Sequence, residues 1–344
     1  MRFEIFSPDL QSRHELSNAT SVQFEEKYND VGKMTIVLPM DDYNIAISQK
    51  EAIVYIVDLR LAYEVAEVQS DTENNEITLN GYALSNRLNR RIVATAATVQ
   101  NVEHDLYEVV RQNLRGLPVL LHAEQGLSAS VDDTTLYGEE LISAIQPVLN
   151  DAGYGHRAVF DYRDKTITWE IYQGEDHSSG LKRVVFSEER GSAPGLLIDQ
   201  DASTYKNVCY CKAQYKDQTE FVVTAGTVTG NDRRELWAEY SGDPQGEDES
   251  NEAFQTRVRQ YAALQLGNYI DRLSFTVNAD TSELGTAYRV GDLVSCVSLR
   301  HGVQFNARVT GATYSQDANN GMQVSLTLGD PILTIIGGIK LGRN

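Results

Sequence analysis

The stretch IVYIVDLR at residues 53–60 has a counterpart in LVSCVSLR at residues 293–300. Each is followed by another strand-like run and then by a polar, Asn-rich loop, QSDTENN at 69–75 and SQDANN at 315–320. Each loop leads into a run ending in glycine: EITLNG up to Gly81, and QVSLTLG up to Gly329. Alternating apolar and polar residues give a strand one buried and one wet face, so both regions read as antiparallel meanders. Two copies of one small barrel at opposite ends of the chain, flanking inserted material, would explain the pair. The general likeness of any two antiparallel meanders would explain it too, and pattern alone leaves both open.

Working outward, the same alternation recurs. It places Met34, Ile36 and Leu38 on one face before Pro39, and Ile167, Trp169 and Ile171 on another. It also runs through Leu273, Phe275 and Val277, through Val303, Phe305, Ala307 and Val309, and through Met322, Val324, Leu326 and Leu328. Three segments have helical spacing instead. Val102, Leu106, Val109 and Val110 share a face, with Asn101 as N-cap and Gly116 and Pro118 as the stop. Leu141, Ile142, Ile145, Val148 and Leu149 form a second stripe, kinked by Pro147. Phe254, Val258, Tyr261 and Ala262 form a third, after the acidic loop GDPQGEDESNE at 242–252, which reads as solvated and mobile. Strand and helix runs are segregated, which disfavours a doubly wound sheet and predicts a β-rich α+β fold.

Composition narrows the function. The 344 residues carry 30 Lys and Arg against 49 Asp and Glu, a net charge of −19, and 41% are hydrophobic. That supports real cores and argues against general nucleic-acid binding or an anionic membrane surface. No apolar run approaches the roughly 20 residues of a membrane span, and MRFEIFSPDL is no signal peptide. Three cysteines predict no disulfide framework and synthesis in a reducing cytoplasm. Cys209 and Cys211 share one face of a strand and read as buried structural thiols, since no further ligands stand at metal spacing. The six histidines are scattered, and Glu139–Glu140 and Glu188–Glu189 are pairs expected at this charge. The loop at 242–252 lacks the ligand pattern of a calcium loop. No nucleophile elbow, phosphate loop or dinucleotide fingerprint is present. These absences name no catalytic residue, metal or cofactor, but most enzymes without a compact motif would look the same. That the chain is not an enzyme is what the family resemblance of its longer phrases implies.

Longer phrases carry a resemblance. GKMTIVLPM, then AIVYIVD, then NGYALSNRLNRRIV (80–93) resemble the first barrel of phage tail hub proteins, where a strand ending in LP precedes a G-x-x-L…L-x-R-R-I segment. AGYGHRAVFDYRDKTITWEIYQGEDHS (152–178) is similar to that family's inserted helix and hairpin, DASTYKNVCYCKAQ (201–214) to its S-x-Y-x-N strand and NDRRELWAEY (231–240) to its R-R-E segment. YRVGDLVSCVS (288–298) resembles its L-G-D-x-V strand, and NARVTGATYSQDANNGMQVSLTLGDP its closing barrel strands. The phrases follow the family's order, in its siphophage and prophage branch of baseplate-hub or tail-tip proteins. The cell-wall hydrolase extension that many tail-tip relatives carry is not expected, since the sequence stops at Asn344.

The resemblance implies two similar small antiparallel β-barrels at the ends of the chain with inserted α/β segments. The expected boundaries are 1–97 for the first barrel and 98–198 for an inserted α/β domain of two helices and a hairpin. Residues 199–230 with 271–331 form the second barrel, 231–270 a helical insertion and 332–344 a tail. It implies a homotrimer whose six barrels surround one axis, in a virion tail. A tail-tube or distal tail protein would sit on one side and a tip, spike or fibre protein on the other, with DNA passing the channel without specific binding. Excess acid would then line that channel, or serve only to keep the chain soluble. The apolar tail residues Leu333, Ile335, Ile336 and Ile339 are candidate assembly contacts, or close their own barrel. The competing expectation is a tail-tip enzyme or carbohydrate-binding protein acting on the bacterial cell surface, using some of the 18 tyrosines.

Overall fold

Met34, Ile36 and Leu38 alternate with exposed or half-buried neighbours along the strand Lys33–Pro39, and all three are buried, as their spacing requires. The strand lies in a sheet that, among the described residues, has thirteen strands. The computed structural model describes residues 1–187, 195–201, 203–266, 269, 272–278, 283–299, 303–317 and 321–335. For 195–201, 272–278, 303 and 330–335 it describes the backbone alone. The chain divides into one unit of residues 1–197 with 275 onward, and a second of Ile198–Ser274.

The two similar sequence regions become two strand sets of the same order. The first set runs Ser21–Lys27, Lys33–Pro39, Glu76–Ala83, Leu61–Asp71, Ile53–Ile56 across the sheet, and continues to Phe3–Phe6 and Arg13–Leu16. The second runs Gly195–Asp201, Arg272–Asn278, Gln323–Ile335, Val303–Asp317, Leu293–Ser298. The registers coincide as well. Leu79 lies between Ile36 and Val68, and Leu326 lies between Val277 and Ala312. Both long strands carry a register shift at the matching point, between Val65 and Glu67 and between Val309 and Gly311. Such a coincidence of bulges is not a property of meanders in general, so the duplication reading is the one the structure bears out.

The two sets are hydrogen-bonded together. Ser21–Lys27 pairs antiparallel with Gly311–Asp317, setting Phe24 opposite Tyr314, whose rings stack at 4.6 Å. The β-rich α+β class holds, and the two expected barrels take the form of two equivalent strand sets sharing one sheet.

Two helices and the hairpin lie between the sets along the chain, and one short helix lies within the first set. The short helix α1 (Asp42–Ile47) is capped by Asp41, which accepts from the Asn44 amide. In α2 (Val102–Asn113) and α3 (Leu141–Ala152) every residue of the expected stripes is buried. Asn101 is the N-cap of α2, α3 contains Pro147, and Gly153 ends α3 at a left-handed φ of 68°. The strands Gly155–Asp161 and Thr166–Tyr172 form the expected hairpin, with Leu120–Leu121 parallel beside it. One expectation is corrected here. Residues 98–198 do not form a domain with a core of their own, because Phe6, Ile53 and Tyr55 share one apolar cluster with Leu106, Ile145 and Trp169. Phe160 meets Phe6 edge-on at 5.2 Å.

The second unit corrects another. Of residues 199–230, expected to join 271–331 in a second barrel, 199–201 do lie beside Arg272–Asn278, but the strands from Val208 to Ala225 do not. Val208–Gln214 pairs with Glu220–Ala225 and, in parallel, with Glu235–Glu239. This small sheet buries Cys209 and Cys211 against Phe254, Val258 and Ala262 of α4 (Asn251–Leu266). The alternation of 208–214 announces a strand but not its partner. The loop before α4 is solvated yet pinned. Arg257 donates to the carbonyls of Asp243 and Pro244 and to Glu249 at 2.8–3.2 Å, and Gln245 donates to the Glu249 carbonyl.

Candidate assembly site

Leu333 stands opposite Phe305 and Ile335 opposite Val303, where Gln323–Ile335 pairs with Val303–Asp317. Ile336 and Ile339 lie outside the described residues. The first two tail candidates therefore extend a strand pair of their own sheet. Cys209, Cys211 and Cys296 are all fully buried. Burial pushes the Cys211 thiol up to about 11 and Cys296 up to about 12, which keeps them protonated and unreactive. Among the described residues no group of His, Cys, Asp or Glu could hold a metal ion, and no helix is long and apolar enough to cross a membrane.

An open strand edge is the feature that sequence reading misses. Within Leu61–Asp71, Tyr63 and Glu64 are paired on both sides, with Ile53–Ile56 and with Glu76–Ala83. Beyond the bulge, Glu67–Asp71 is paired only with Glu76–Asn80 among the described residues. Ala66, Glu67, Gln69 and Ser70 are exposed and Val68 half-buried. At the matching place in the other set, Ser21–Lys27 covers the edge, and Gly311, Ala312 and Tyr314 are buried. At the end of the sheet's strand order, Gly195–Asp201 has a single neighbour, Arg272–Asn278, among the described residues.

The first unit also has a partly open cavity of about 1400 Å³ lined by Glu26, His156, Arg157, Arg289, Asp292 and Tyr314, among others. The alternation Val22, Phe24, Glu26 points the carboxylate inward, a signal available in SVQFEEK. Burial pushes Glu26 up to about 7, against the pull of Arg157 and Arg289 and of the Tyr314 hydroxyl. His156 is fully buried, and burial lowers its imidazole to about 4. Neither of its ring nitrogens has a hydrogen-bond partner.

Tyr28 ties three parts of the first unit together beside this cavity. Its amide donates to the Thr310 carbonyl at 2.9 Å, and its carbonyl accepts from the His156 amide at 2.9 Å. Its hydroxyl donates towards the Gly153 carbonyl at 3.0 Å and accepts from the Gly174 amide at 3.3 Å. Arg308 lies over its ring, 5.2 Å from the centroid. Nearby the backbones of Gly174 and Gly291 touch so closely that a Cβ on Gly174 would stand 1.9 Å from the Gly291 carbonyl oxygen.

The family described as siphovirus ReqiPepy6 Gp37-like protein matches residues 2–116 and 120–330. The chain belongs to that family. No curated protein matches it. Among solved structures the fold is similar to the tail protein from Neisseria meningitidis MC58, with a TM-score of 0.60 at 16% identity over 96% of both chains. It is similar to the prophage MuSo2 43 kDa tail protein from Shewanella oneidensis, with a TM-score of 0.57 at 10% identity, over 95% of this chain and 98% of that one. It is also similar to prophage tail protein gp18 from Listeria monocytogenes EGD-e, with a TM-score of 0.52 at 11% identity, over 96% and 94%. Family and fold thus agree with the resemblance carried by NGYALSNRLNRRIV and the phrases that follow it.

Proposed function

We propose that this family member is a structural hub of a phage tail or tail-like particle. It assembles as a homotrimer, joins the tail tube or a distal tail protein to the tip, spike or fibre, and leaves a channel that DNA traverses without specific binding. The observation that carries this reading is the duplicated strand order within one chain. Three chains with two equivalent sets each offer six similar positions around an axis. Such a ring can meet a six-fold tube on one face and a three-fold tip on the other, by contacts that close head to tail. The fold shared with three tail proteins supports it. Negative-stain microscopy and light scattering test it. The expected result is a ring with a central hole and a mass of about 115 kDa, three times the 38.3 kDa chain. A compact monomer that also fails to join tails would overturn it.

The hub reading gives the chain no catalytic activity. The cavity at Glu26 is the place where the competing enzyme reading is sharpest, since an acid held near 7 inside a cavity suits general acid catalysis. Incubation with peptidoglycan and with host polysaccharide discriminates. The hub predicts no cleavage by wild type or Glu26→Gln, whereas cleavage lost in Glu26→Gln would favour the enzyme.

A further inference from the structure

We infer that residues 66–71 are a docking edge for the strand Gly195–Asp201 of a second copy of this chain. The inference rests on the hub reading for its ring, but its evidence is the internal repeat. The strand order makes Gly195–Asp201 the equivalent of Ser21–Lys27: each lies beside the strand that precedes the three-stranded meander of its set. The bulges make Glu67–Asp71 the equivalent of Gly311–Asp317. Inside the chain, Ser21–Lys27 pairs antiparallel with Gly311–Asp317. The equivalent strand and the equivalent edge are therefore a matched donor and acceptor, and among the described residues both stand open within one chain.

An open edge exposes a row of backbone N–H and C=O groups that pair readily with another strand. Of the usual protections, the edge carries the bulge at Val65–Glu67 and the acids Glu67 and Asp71, and the internal junction forms beside the matching bulge in spite of it. Residues 66–71 read AEVQSD, with no Lys, no Pro and, among the described residues, no covering helix. The same geometry repeated between chains continues the sheet from one subunit into the next. The contact is head to tail, one donor and one acceptor per chain, so it propagates until it closes. The strand Arg13–Leu16, at the other end of the strand order, is not the acceptor, because its position has no counterpart in the internal junction.

The test uses the full chain with a photo-crosslinking amino acid at Gln69, mixed from isotopically light and heavy preparations. Cross-linked peptides are then mapped by mass spectrometry. The same probe at Ser315, which faces Gln23 within the chain, should give links inside one copy only. Links from position 69 should join light to heavy chains and map to residues 195–201. An assembled ring whose position-69 links map elsewhere overturns the strand pairing and leaves the hub reading intact. Links to 195–201 in an assembly that is not a trimer uphold the pairing and overturn the trimer. A chain that stays monomeric at all concentrations overturns the pairing.

Discussion

Tyr28 follows directly on the strand Ser21–Lys27, yet its contacts reach Gly153, Gly174, Arg308 and Thr310. Truncation removes a buried ring from a site that collapse cannot refill. Tyr28→Ala should cost about 3–5 kcal/mol in denaturant unfolding, and Tyr28→Phe only about 1 kcal/mol for the hydroxyl. Equal losses for the two would place the effect in the hydroxyl instead of the ring.

The two displaced titrations act in opposite directions. The fold accommodates neutral His156, so its contribution is whole above the ordinary 6.5 and is lost as pH falls towards about 4. It also accommodates neutral Glu26, whose contribution is whole below the ordinary 4.5 and is lost as pH rises through about 7. Relative to wild type, the slope of melting temperature against pH should therefore become less positive between 4 and 6.5 in His156→Phe, and more positive between 4.5 and 7 in Glu26→Gln. Unchanged profiles would mean that neither group is held neutral. The alternation of SVQFEEK gives the direction of Glu26 but not the depth of its burial, and nothing in the sequence marks His156, because burial depends on what the chain brings over a residue. The arginines of NRLNRRIV are more legible. Arg87 and Arg90 grip Glu64 at 2.5 and 2.9 Å, and Arg91 donates to the Leu114 carbonyl at the end of α2.

Among the elements, helices are the most readable. Their spacing is local, and each expected stripe lies buried against a core apart from the half-buried Tyr261 of α4. Strands are equally readable one at a time, from Met34, Ile36 and Leu38 to Leu326 and Leu328. What pattern cannot supply is which strand lies beside which. Residues 208–214 alternate as well as any strand of the large sheet, yet they pair with 220–225 and 235–239. The edge at 66–71 was invisible for the same reason, since a missing neighbour leaves no mark on a strand's own alternation. Two element-scale predictions follow from contacts already described. Gly174→Ala must push two backbones apart, at a cost of about 1–3 kcal/mol or more, read as a lowered melting temperature. Arg257→Ala should speed hydrogen exchange in residues 243–250 while leaving strands of the first unit unchanged.

For the whole molecule, the proposed trimer rests on two strand sets built alike. The tail contributes differently from its apolar composition, since residues 332–335 pair with 303–306. Removing everything after Pro331 would therefore strip a strand end from the sheet. Removing only residues after Ile335 is the cleaner test of docking by the tail. If Ile336 and Ile339 hold a neighbour, this shorter deletion should lower the yield of assembled tails while the ring persists. Unchanged assembly would assign the tail no such part.

The chain leaves the sheet after Gly195–Asp201 and returns at Arg272–Asn278, at the place where the first set has only residues 28–32 between its two strands. Lengthening a surface connection raises its closure cost only slowly, about 0.6 kcal/mol for each doubling. Recombination between related genomes could therefore exchange the whole cassette at this hairpin, since its two stems already lie side by side. Relatives that share the scaffold are then free to carry unlike cargo there, from nothing beyond a tight turn to a complete foreign module.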